Sequence, residues 1–131
     1  MILSLVLSAI GILIAWIACD TLLHRFLLHP LYAENPSLWR PLDQMNMPLV
    51  YAVTWVLIAV FVLTYWLLIS PKSLGAGLLF GGLLGCALGV GSGFGTYIHM
   101  PVPRGLAWGW FLGGWLKGLL AGAILGLLVA G

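Results

Sequence analysis

The chain has 131 residues, of which 63% are hydrophobic and only 6% are Asp, Glu, Lys or Arg, with a formal net charge of +2. That mix excludes an ordinary soluble domain, and five basic residues are too few for a nucleic-acid partner. With a mean hydropathy of +1.15, the composition fits a lipid bilayer as its surroundings.

The first apolar stretch runs from about Ile2 to His29, enough to cross a hydrocarbon core of about 30 Å. No Lys or Arg precedes it and the bulky Trp16 stands near Cys19, so it reads as a span rather than a processed leader. Cys19 and Cys86 both sit in apolar surroundings, where cysteine behaves as a small hydrophobe, and no disulfide is expected. Pro30 is read as the end of this helix. Pro30, Pro36, Pro41 and Pro48 then punctuate the longest non-spanning connection. Within it, Asn35 and Pro36 form a short helix start, and Trp39 beside Arg40 suits an interfacial anchor.

The second stretch, Pro48 to Ser70, leads into the tight turn Ser70-Pro71-Lys72-Ser73. The third, Leu74 to His99, carries Gly77, Gly81, Gly85, Gly89 and Gly93 at four-residue spacing. After Met100 to Arg104, the fourth stretch, Leu106 to Ala130, continues the pattern with Gly114, Gly118, Gly122 and Gly126, beside a second row of Gly105, Gly109 and Gly113. Such spacing lines small residues along one helix face, where two backbones approach closely inside lipid. These glycines lie within continuous apolar runs, which is not the setting of a phosphate-binding loop. Ser92 lies in a partial likeness to a hydrolase elbow, but Val90 stands where that motif has its first glycine, so Ser92 reads as a packing residue.

Four stretches joined by short turns predict one domain, 1–131, of all-α class: a polytopic integral membrane protein with four antiparallel transmembrane helices and a glycine-packed hairpin of the third and fourth. Arg25, Arg40 and Arg104 on one side against Lys72 on the other make the Pro30–Met47 connection cytoplasmic and both termini external.

Chemistry is confined to a few polar side chains. An ionisable group inside a membrane helix is costly and normally has a partner or a task. Asp20 lies ten residues before Pro30 and Lys117 eleven after Leu106, each about 15 Å along its helix from the same side. Their similar depth invites an ion pair, with His24 one turn from Asp20 on the same face. With His99 and Arg40, these residues are the candidates for a ligand or ion-pair site. His24 and His99 are also the candidate ligands of a metal or haem, a reading weakened by the absence of any His-x-x-x-His spacing. No cofactor is favoured. Tyr32, Trp39, Tyr51, Tyr65, Trp66, Tyr97, Trp108 and Trp110 read as aromatic belts, while Trp16, Trp55 and Trp115 lie deeper, as core or cleft residues.

Asp20, His24, Leu27-Leu28 and Tyr32, followed by Leu38-Trp39-Arg40-Pro41 and Met45, resemble a group of small bacterial integral membrane proteins classed as a domain of unknown function. Ala107-Trp108 and Phe111 to Gly114 are similar to that group's final span. The resemblance implies four spans and a bacterial inner membrane, and assigns no catalytic residue. The function expected from the sequence is a non-enzymatic membrane component, a structural subunit of a larger complex or a homo-oligomer joined by leftover glycine faces. The alternative is a small-molecule or lipid binding or transport protein using Asp20, His24 and Lys117.

Overall fold

A computed structural model describes residues 1–130 and is entirely helical apart from its connections. Four helices are long and apolar enough to span a membrane: α1 (Ile2–Leu27), α3 (Met47–Leu68), α4 (Leu74–His99) and α5 (Arg104–Leu128). A short α2 (His29–Ala33) follows α1. The chain is a four-helix transmembrane bundle, with α4 and α5 sharing its most extensive contact.

Glycine makes that contact possible. An ideal Cβ on Gly85 would lie 2.9 Å from the Gly118 Cα, and one on Gly114 would lie 3.0 Å from the Gly89 Cα. Gly77, Gly81 and Gly122 meet backbone of the opposite helix in the same way, and Gly93 meets Ala107 and Phe111. The helices are thus held by van der Waals contact between main chains. The second glycine row of α5 faces elsewhere: side chains Leu31, Leu28 and Leu23 fill the spaces over Gly105, Gly109 and Gly113. Both rows are therefore used within the chain, and neither is left over as a ridge for a partner helix.

Two spans contain a wide π-type turn, Thr21–Leu27 in α1 and Gly91–Gly95 in α4. In α1 the Thr21 hydroxyl donates to the Ile17 carbonyl, and Pro30 has no N–H to give and crowds the carbonyl four residues back. The helix loosens and ends with the Leu28 amide on the Leu23 carbonyl. This corrects the reading of Pro30: the span stops at Leu27, and Pro30 lies in the first turn of α2. In α4, a four-residue repeat overshoots the 3.6-residue turn and drifts around the helix; the wide turn winds it back so that Gly93 still faces α5. Asn35 occupies the cap position of a single 3-10 turn, Pro36–Leu38, without a side-chain capping bond.

The bundle is closed at one end and open at the other. Near the termini, Ile12, Trp16, Ile58, Phe61, Tyr65 and Leu125 form a dry core, with the Tyr65 hydroxyl donating to the Ser73 carbonyl. Toward the long connection, α3 leaves the bundle: its buried residues are Ile58, Phe61, Val62 and Tyr65, whereas Met47 to Val53 are all exposed. The result is a wedge-shaped cleft between the first half of α3 and the other spans.

Candidate functional site

The cleft holds the charges that the sequence singled out. Lys117, near the centre of α5, places its Nζ 3.0 and 3.1 Å from the two carboxylate oxygens of Asp20. The ammonium also lies 5.0 Å above the Trp16 ring, whose indole N–H donates to the Lys117 carbonyl at 2.9 Å. Trp16 thereby fixes both the backbone and the charge of Lys117, and it is only 4% exposed. His24 turns Nε2 toward Asp20, 3.7 Å from Oδ1.

A second network holds His24 from the other side. Its Nδ1 lies 2.6 Å from the Tyr32 hydroxyl, which accepts a hydrogen bond from the Trp110 indole at 2.7 Å. The Trp39 indole donates to the Tyr32 carbonyl, and its ring stands edge-on to both Tyr32 and Trp110. Burial, reinforced by the negative Asp20, pushes the Tyr32 phenol up against the weaker opposing effect of the Trp110 donor. The hydroxyl is therefore protonated at neutral pH. The Trp110 indole donates to the Tyr32 oxygen, the same hydroxyl shares a hydrogen bond with Nδ1 of His24, and Nε2 of that ring faces Asp20. Hydrogen bonds thus link Trp110, Tyr32 and His24, and His24 stands 3.7 Å from the Asp20 carboxylate that pairs with Lys117.

The groups line space rather than filling it. A cavity of about 410 Å³ is bordered by Asp20, His24, Lys117, Trp39, Trp110, Ser92 and Thr96, among others. A narrower extension of about 270 Å³ descends past Lys117 among Trp16, Leu57, Phe61 and Leu88. On the α3 side a groove of about 660 Å³ joins Lys117 to Arg40. Both π turns border the main cavity, one through His24 and the other through Ser92. Such turns recur at functional sites because they displace side chains from regular helical phase.

Asp20, His24 and Lys117 are brought together, and Arg40 is joined to them through the groove. His99 is not: it is exposed at the end of α4 and lies outside the cavity lining. Among the described residues no group of three or more His, Cys, Asp or Glu side chains is placed to hold a metal ion. Cys19 and Cys86 are unpaired. Three aromatic readings are corrected. Tyr65 belongs to the dry core; Trp39 and Trp110 line the cavity with Tyr32 packed behind them; and Trp55 and Trp115, 43% and 41% exposed, face outward.

No protein family, no characterised protein and no solved structure matches the chain. Residue roles therefore rest on the geometry alone.

Proposed function

We propose that this is a non-enzymatic membrane protein that binds a small ligand in the cleft around Asp20 and Lys117. One observation carries the reading: the pair borders an open cavity at membrane depth, where a charge pair serving only to hold helices together would be packed over. Trp110, His24, Asp20 and Lys117 border the cavity already held in place by their partners, which lowers the cost of ordering them on binding. The accessory-subunit reading loses one of its supports, the leftover glycine faces, because the glycine rows are occupied within the chain.

Released intact from mild detergent into a mass spectrometer, the protein should carry a small-molecule adduct. The double variant Asp20→Asn/Lys117→Met should lose it, and Trp55→Phe should keep it. A wild-type protein that arrives without any adduct but bound to other protein subunits would replace binding with a structural role.

The cleft mouth lies on the side of Arg25, Arg40 and Arg104, so the positive-inside rule turns it toward the cytoplasm. With Cys19 and Cys86 replaced, a cysteine at Ser73 should react with an impermeant reagent on intact cells, and one at Ser37 should not. The opposite pattern reverses the orientation.

A further inference from the structure

The groove between Arg40 and Lys117 is chemically unlike the main cavity. Asp20 balances Lys117 in the main cavity, whereas the groove is walled by Arg40, Gln44, Asn46 and the apolar flank of α3, and no carboxylate of the described residues borders it. Among the described residues Arg40 makes no ion pair. The groove therefore holds one cation without a counter-charge and a second that shares its only carboxylate with His24. The Asn46 side-chain oxygen caps α3 by accepting from the Leu49 amide, which leaves its amide group as a donor.

Below these polar groups the surface becomes hydrocarbon. Leu49, Val50, Val53 and Leu57 line the groove on α3, and Leu57 also borders the narrow extension that descends to Phe61 and Leu88. Lys117 and Leu57 belong to both spaces, so head-group chemistry and an apolar path are continuous. A free phosphate would satisfy the cations and leave the path empty; a neutral hydrocarbon would fill the path and leave Arg40 unmatched.

We propose that the ligand is an anionic amphiphile with a single acyl chain, its phosphate or carboxylate head held by Arg40 and Lys117 and its chain laid along Leu57 toward Phe61. This rests on the cleft being a binding site, and it adds the charge and the shape of the occupant. The anion would share Lys117 with Asp20, while the planar guanidinium of Arg40 suits two-point contact with phosphate or carboxylate.

The test uses the protein in nanodiscs of zwitterionic phosphatidylcholine, with radiolabelled dodecyl phosphate as the probe and empty discs to subtract partitioning. Saturable binding near one per protein is expected, weakened about fivefold by Arg40→Gln, in line with the contribution of one cation near a membrane surface. Leu57→Trp, which fills the junction of groove and extension, should weaken it as well without touching a charge. Three results overturn the proposal: no saturable excess over empty discs, unchanged affinity in Arg40→Gln, or inorganic phosphate competing as well as unlabelled dodecyl phosphate. Saturable binding of dodecanol in place of the phosphate, lost in Asp20→Asn/Lys117→Met, would overturn the anionic head while leaving the cleft a binding site. Loss of both, with no adduct on the purified protein, would overturn the binding function itself.

Discussion

Gly81→Ala should destabilise the protein by about 2 kcal/mol or more in detergent, although it adds a single methyl group. The added carbon would meet the Gly118 carbonyl and lie 2.9 Å from the Gly122 Cα, and neither backbone atom has a rotamer to turn aside. Relief requires moving α4 from α5, which loosens every close approach along the ladder. The clash outweighs the roughly 1 kcal/mol of helix propensity that alanine adds. Gly85→Leu should be worse, since its first carbon already meets Gly118. Gly91→Ala is the matched control, because a Cβ there meets nothing within 4 Å. Thermal midpoints of the three variants beside wild type decide the matter. Equal midpoints for Gly81→Ala and Gly91→Ala would mean that α4 and α5 are not held by backbone contact.

The two parts of the molecule that were legible in the sequence share a cause. Gly77 to Gly93 announce a contact because four-residue spacing has one geometric meaning on a helix, and Asp20 and Lys117 announce each other because charge at membrane depth is costly. Tyr32, Trp39 and Trp110 were misread as belt residues because their partners come from a connection with no periodicity. Only the fold brings the Trp110 indole, 78 positions away, onto the Tyr32 hydroxyl. The departure of α3 was equally hidden. That helix is apolar on all sides, so its sequence does not distinguish the half packed by Phe61 and Tyr65 from the half that borders the cleft. Nor does a sequence period reveal the wide turn at Thr21–Leu27, which depends on the Thr21 hydroxyl competing for a helix carbonyl.

Removing either charge of the central pair should cost more than removing both. Asp20→Asn leaves the Lys117 ammonium over Trp16 with no carboxylate, and Lys117→Met leaves the Asp20 carboxylate with only His24 near it. An uncompensated charge held away from bulk water is penalised until it neutralises or the helices part to admit water. The double variant Asp20→Asn/Lys117→Met strands neither group. The side chains are 42% and 25% exposed, so the pair is not sealed in protein and the interaction should fall below that of a fully buried one. A coupling of roughly 1–3 kcal/mol is expected from the four midpoints of the cycle. Coupling near zero would leave two unrelated polar positions. Stability and binding should then separate: the double variant should recover most of the stability lost by the single variants and still lack the bound adduct. Recovery of stability with the adduct retained would show that the charges serve only packing, and that the ligand is held by Trp39, Trp110 and the rest of the cavity lining instead.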